Sequence, residues 1–163
     1  MTTTRVVIVG LISDTHGQFR PQVMTAFAGV DLIVHAGDVG GPAVLAALRA
    51  IAPVNAVSGN VDDRHDPNLP RALSLPIGEL TLHVSHGDEL GSPKPELLFA
   101  HYAADIIVYG HTHRALMVRS DDGRLVVNPG AAGPRRFNLE PSVAVLTVEG
   151  REARVEFVAL LTT

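Results

Sequence analysis

The 163 residues contain no cysteine and no tryptophan, and only two Tyr and five Phe. Without thiols there are no disulfide staples, no thiol nucleophile, no zinc finger and no iron–sulfur cluster. Any metal must therefore be held by His, Asp, Glu or Asn. So few aromatic rings leave no evident platform for stacking bases. The chain also lacks a Lys/Arg block: 13 basic against 17 acidic side chains give a net charge of −4. That argues against an electrostatic nucleic-acid binder, though not against a nucleotide substrate. No apolar run approaches the roughly 20 residues needed to span a bilayer. Met1-Thr2-Thr3-Thr4-Arg5 runs directly into an apolar segment and carries no small-residue cleavage site. The expectation is a soluble, cytoplasmic protein without a membrane partner.

Hydrophobic residues make up 46% of the chain. This is too apolar for disorder, and the length fits one domain of ordinary size, expected over residues 1–163. Val6–Ile12 is a continuous apolar run, as a strand buried on both faces reads. The segments 31–35 and 53–58 repeat the pattern, with helical composition over 21–28 and 42–50. This order of strand, Gly-rich polar turn and helix predicts a βαβαβ half with parallel strands. The second half predicts strands over 73–77, 79–85 and 105–109, a helix over 94–104, and two hairpins, 115–120 with 124–127 and 143–148 with 153–160. Residues 128–141 form the longest irregular stretch. The expected class is α/β, with two packed sheets and helices outside.

Eight histidines stand out, and their positions matter more than their number. Polar residues follow the predicted strands one after another: Asp14 and His16, Asp38, Asn60, His86, then His111 and His113. Ligands usually bind at the carboxyl ends of parallel strands. Each residue alone reads better as a helix cap or turn residue. The set does not, because caps do not require four histidines in matched loops. Oxygen and imidazole donors without thiolate suit Mn²⁺, Fe²⁺, Zn²⁺, Ni²⁺ or Co²⁺. Seven donors are too many for one closed four-coordinate site and suit two metals sharing a carboxylate. His35 and His83, in or at the end of strands, read as hydrogen-bonded structural histidines. His65, in a polar stretch, reads first as a loop side chain and second as one facing the site mouth; His101 reads as surface. Thr15 and Gly17 are expected to contribute backbone only.

The ordered set Ser-Asp-Thr-His-Gly, His-Ala-Gly-Asp-Val, Val-Ser-Gly-Asn-Val-Asp, Ser-His-Gly-Asp, Gly-His-Thr-His and Asn-Pro-Gly resembles the calcineurin-like metallophosphoesterases. More narrowly, it resembles their small bacterial and archaeal phosphodiesterase branch, to which the retromer subunit Vps29 is related. The likeness runs from about Val6 to Asn138. It implies a four-layer α-β-β-α sandwich of two mixed sheets. It also implies two divalent metals, Mn²⁺ first among the candidates, one held by Asp14, His16, Asp38 and His113 and the other by Asp38, Asn60, His86 and His111, with Asp38 bridging. The implied reaction is phosphodiester hydrolysis of a small molecule, with a metal-bridging hydroxide attacking phosphorus in line. A homo-oligomer is a further expectation from the resemblance.

The chain departs from the wider family at Gly59-Asn60-Val61-Asp62. Many phosphomonoesterases have Gly-Asn-His-Glu there, so position 61 offers no acid to the leaving group. Asp62 or Asp63 is a candidate partner for the ligand histidines. Arg135-Arg136 has two readings: a loop bringing an arginine, taken as Arg135, to the substrate phosphate, or a solvated turn. Two alternatives to a phosphodiesterase stand: a Vps29-like protein-binding scaffold and a phosphomonoesterase. The seven intact ligand positions count against the first, the missing Gly-Asn-His-Glu against the second.

Overall fold

A computed structural model describes residues 5–136 and 138–160. The chain order is β1 (Val6–Ile12), α1 (Gln22–Ala26), β2 (Leu32–His35), α2 (Pro42–Arg49), β3 (Val54–Ala56), β4 (Ala72–Ile77), β5 (Leu80–Ser85), a 3-10 turn (Asp88–Leu90), α3 (Pro95–His101), β6 (Ile106–Val108), β7 (Leu116–Arg119), β8 (Leu125–Asn128), β9 (Ser142–Glu149) and β10 (Glu152–Ala159). Two five-stranded sheets result, ordered β10-β9-β1-β2-β3 and β4-β5-β6-β8-β7. In the first, β1, β2 and β3 are parallel and β9 and β10 antiparallel. In the second, β5, β6 and β8 are parallel, with antiparallel edges β4 and β7. Both sheets are mixed, as expected.

The apolar runs explain the layers. Successive side chains on a strand point to opposite faces, so a strand without polar alternation must be covered on both. On β1, Val9 and Leu11 enter the core between the sheets, where they meet Leu82, Val84, Val108 and Val127. Ile12 faces outward into a second cluster with Phe27, which caps α1, and Leu48 of α2. On the other sheet, Ile107 and Val126 face outward onto Leu98 of α3. Three apolar layers between four structural layers follow directly.

Register brings the carboxyl ends of the parallel strands to one edge. Ile12 pairs with His35, and His35 with Ala56. Val84 pairs with Val108, and Val108 with Val127. The candidate ligands lie just beyond these residues.

Two expectations need correction. The third helix ends at His101 rather than Ala104, because Tyr102 is extended at φ −116°, ψ 138°. The Arg124 guanidinium donates to the Tyr102 and Phe99 carbonyls at 2.8 and 2.9 Å and so caps the helix end. The 3-10 turn at Asp88–Leu90 has no counterpart in the sequence reading. Its Glu89 accepts hydrogen bonds from Ser85 Oγ, Gly87 N and Tyr102 OH. Among the described residues, no helix is long and apolar enough to cross a membrane.

Candidate metal centre

Five non-glycine residues have positive φ among the described residues: Asp14 (54°), His16 (46°), Asp38 (56°), His111 (69°) and His113 (64°). All five are candidate ligands. The left-handed conformation costs a non-glycine residue on the order of 1 kcal/mol or more and persists only where the surroundings impose it. Here backbone hydrogen bonds between the loops impose it: Asp14 N to Gly37 O at 2.9 Å, His16 N to Asp38 O at 3.0 Å, and Gly110 N to His86 O at 2.9 Å. Each strand ends, the chain turns sharply, and the next polar side chain is thrown to the sheet edge.

Both carboxylates are held by one oxygen and present the other. Asp14 Oδ2 accepts from Ser13 Oγ at 2.7 Å and His111 N at 3.1 Å. Its Oδ1 faces His113 Nε2 at 3.3 Å, His86 Nε2 at 3.7 Å and His16 Nε2 at 3.8 Å. Asp38 Oδ1 accepts from Val61 N at 3.0 Å. Its Oδ2 faces His86 Nε2 at 3.2 Å and His16 Nε2 at 3.6 Å. Donors about 2.1 Å from a shared ion in tetrahedral or octahedral array lie roughly 3.0–3.4 Å apart, close to these spacings. Two groups could hold a metal: Asp14, His16 and His113, and Asp14, Asp38 and His86. Asp14 belongs to both, while Asp38 Oδ2 also faces a histidine of each.

Buried polar atoms test whether these residues suit a cation. Asp14 Oδ1, His16 Nε2 and His86 Nε2 are buried and lack a hydrogen-bond partner. Such orphaned atoms are costly unless a bound species satisfies them. A buried carboxylate oxygen with an unpartnered imidazole nitrogen of a different group on each side suits divalent-cation ligation. His86 Nδ1 lies 2.8 Å from the Ala36 carbonyl, which only accepts, so the Nδ1 proton is donated there and Nε2 is turned inward.

Electrostatics follows from this crowding. Burial works against ionising Asp38, yet His86 and the Val61 amide hold its carboxyl down at about 2. Burial also works against charging His86, but the carboxylates of Asp38 and Asp14 overcome it and push the imidazole up to about 9. Asp14 is held below the usual carboxylate range, because His113, His86 and Ser13 outweigh its burial. His16 is lowered, chiefly by burial, against the pull of Asp38 and Asp14.

Two glycines permit the close approaches. A Cβ on Gly59 would lie 2.1 Å from Asp38 Oδ1, and one on Gly110 would lie 2.0 Å from Ser13 Oγ and 2.6 Å from Asp14 Oδ2.

The remaining candidates are less tightly gathered. The His111 ring stands edge-on to His86, with centroids 5.2 Å apart. Asn60 is exposed at the end of its loop. Neither belongs to the two groups formed by His and carboxylate atoms. Arg135 and Arg136 are both exposed. Arg136 is the one whose charge helps to depress the His16 pKa. His65 and His101 are exposed as well, and His83 bonds Ser85 Oγ at 3.0 Å and stacks on Tyr102 at 3.8 Å.

Several supporting residues escaped the sequence reading. Thr15 acts through its side chain after all: Oγ1 donates to Val39 O at 2.8 Å and meets His35 Nε2 at 3.0 Å. Gly37 N donates to His35 Nδ1, so the buried imidazole is neutral and carries its proton on Nε2. The Asp62 carboxylate collects the amides of Val39, Gly40 and Gly59 and ties the Asp38 loop to the Asn60 loop. Buried Arg20 donates through Nε and Nη2 to Gly133 O at 3.1 and 3.0 Å. With Ala132 N bonded to Ser13 O and Gly133 N to Asp14 O, it fastens the loop before Arg135 against the first motif. Asn128 donates to Gly110 O and Thr112 Oγ1, bracing the Gly-His-Thr-His loop.

Comparison with known proteins agrees with this architecture. The calcineurin-like phosphoesterase superfamily domain matches residues 7–151. A probable metallophosphoesterase of Methanothermobacter thermautotrophicus is 31% identical over 160 residues, covering 93% of this chain and 92% of that protein. A phosphodiesterase of Methanocaldococcus jannaschii is 26% identical over 164 residues, covering 90% and 96%. Among solved structures, vacuolar protein sorting 29 of Cryptosporidium parvum superposes with a TM-score of 0.79 at 23% identity, covering 94% of this chain and 97% of that one. Fold and site thus define a metallophosphoesterase architecture. The chain belongs to the calcineurin-like phosphoesterase superfamily.

Proposed function

We propose that the chain is a metal-dependent phosphodiesterase with two divalent cations, acting as a single domain over 1–163. The observation that carries this reading is the coincidence of strained backbone with orphaned ligand atoms: the five positive-φ residues are candidate ligands, and Asp14 Oδ1, His16 Nε2 and His86 Nε2 are buried without hydrogen-bond partners. Asp14, His16, Asp38 and His113 would hold one cation, and Asp38, Asn60, His86 and His111 the other. Asp38 is taken as the bridge, since its Oδ2 faces both His16 and His86. Bound there, two cations would acidify a water for in-line attack and neutralise phosphoryl charge.

The chain's own residues prepare the site. Ser13, the His111 amide and the Val61 amide orient the carboxylates, and Ala36 O orients His86. Position 61 offers only its amide: the Val61 side chain is 55% exposed and has no proton to give. Diesters with good leaving groups are therefore favoured, and the name of the M. jannaschii relative points to the same class. The scaffold reading draws on the fold shared with vacuolar protein sorting 29, but it leaves the five strained candidate-ligand positions without a role.

Equilibrium dialysis of chelator-stripped protein against Mn²⁺ tests the centre. Two ions per chain are expected, falling to one or none in His86→Ala. A wild-type protein that takes up no Mn²⁺, Zn²⁺, Co²⁺ or Ni²⁺ would overturn the reading.

A further inference from the structure

A groove of about 580 Å³ opens beside the candidate centre, with His113 in its lining. It runs between the edge strands of the two sheets, β7 on one side and β10 on the other, past the segment that leads into β9. Its volume lies in the range that holds small organic molecules. Leu116, Leu139 and Phe157 provide its large side chains. None of the three belongs to an apolar core of the fold, and Phe157 stays 39% exposed. Exposed apolar side chains scattered singly are ordinary, but an exposed Phe157 gathered with the half-buried Leu116 and Leu139 around one concavity marks a binding surface. The polar residues add little: Ser142 Oγ donates to Pro129 O, and Arg114 and Glu140 offset one another in charge.

We propose that this groove is a substrate subsite that takes an apolar, aryl or branched-alkyl substituent of the phosphodiester. The commitment to an ester substituent comes from continuity. His113 lines the groove and is also a candidate ligand, its Nε2 3.3 Å from Asp14 Oδ1. A substituent of a phosphoryl group at the centre that extends past His113 would enter the groove lined by Leu116, Leu139 and Phe157. A diester suits this better than a monoester, because only a diester carries an organic group on each side of phosphorus. A strongly anionic substituent would meet the Glu140 carboxylate and gain nothing from the apolar walls. The inference rests on the phosphodiesterase reading and sharpens it to a substrate class.

Two measurements test it. Turnover of phenyl p-nitrophenyl phosphate is compared with that of methyl p-nitrophenyl phosphate, which has the same leaving group and lacks the ring. Wild-type protein is expected to favour the phenyl ester about tenfold in kcat/KM, roughly what burying half of a ring's surface is worth. Phe157→Ser and, independently, Leu139→Ser should remove the preference while leaving the methyl ester unchanged. Separately, diphenyl phosphate titrated into metal-loaded protein should shift the NMR signals of Leu116, Leu139 and Phe157, and dimethyl phosphate should not. The binding arm separates the two readings: groove shifts without turnover of either ester keep the subsite and sink the phosphodiesterase. Equal turnover of both esters with no groove shifts would overturn the subsite. So would a concentration-dependent dimer that Phe157→Ser dissociates, since a second chain would then be the occupant.

Discussion

Asp38 Oδ2 lies 3.2 Å from His86 Nε2, while Asp38 Oδ1 is held by the Val61 amide. The pair joins a loop of one sheet to a loop of the other, and neither side chain is free to turn away. Two conformations that would be costly alone, a left-handed Asp38 and an inward imidazole, are thereby imposed together.

If Asp38 is the shared ligand, Asp38→Ala should abolish binding of both cations rather than one. Metal content by mass spectrometry should fall from two per chain toward zero, with kcat lowered at least about a thousandfold. Two ions retained in the variant would assign the bridge to Asp14.

The Asp38 and Asp14 carboxylates push His86 up to about 9 in the metal-free protein, so a cation bound at its Nε2 at pH 7 should displace a proton. Calorimetric titrations with Mn²⁺ at pH 7, in buffers of different ionisation enthalpy, should show about one proton released. Apparent affinity should rise with pH up to about 9. A titration without proton release would contradict the assignment of His86 as a ligand.

His35 is buried, and its pKa is lowered to about 4 by that burial, with Asp14 and Asp62 acting against it. The unfolded chain takes up this proton near pH 6.5 and the folded chain does not until about 4. Stability is therefore fully present above about 6.5 and lost as pH falls toward 4. At pH 5 the loss amounts to about 2 kcal/mol. His16 and His83 shift in the same direction, whereas His86, with its raised pKa, changes stability only above 6.5. Denaturant unfolding of metal-free protein between pH 7 and 5 checks this. His35→Gln should be less stable at pH 7 and show a flatter pH dependence.

The Arg20 clamp on Gly133 sets the arginine pair beside the first motif, and the charge of Arg136 reaches His16. Arg135 is the sequence-based candidate for the substrate phosphate, and Arg136, whose charge is felt at His16, is the second. Arg135→Ala or Arg136→Ala should raise KM for a diester several-fold with little change in kcat, as loss of ground-state binding does. Unchanged kinetics in both would return the pair to solvent.

Much of this was legible in the sequence because the fold and the site use opposite residue types. The strands β1, β2, β6 and β8 are apolar runs apart from His35 and Asn128 at the ends of β2 and β8, so Asp14, Asp38 and His111 stand out as the first Asp or His beyond three of them. What stayed hidden depends on long-range contact. Arg20 meets Gly133 across 113 positions. Asp62 sits three residues from Gly59 but spends most of its carboxylate on Val39 and Gly40, so its role as a clamp between loops has no local signature. The groove is assembled from Leu116, Leu139 and Phe157 on three separate segments, none of which is remarkable in its own stretch of chain.

The central claim is tested most directly by hydrolysis of bis-p-nitrophenyl phosphate by chelator-stripped protein, with and without Mn²⁺, beside the monoester p-nitrophenyl phosphate. The account predicts Mn²⁺-dependent cleavage of the diester, with little of the monoester. No turnover of either ester with Mn²⁺, Ni²⁺, Co²⁺ or Zn²⁺ would contradict it.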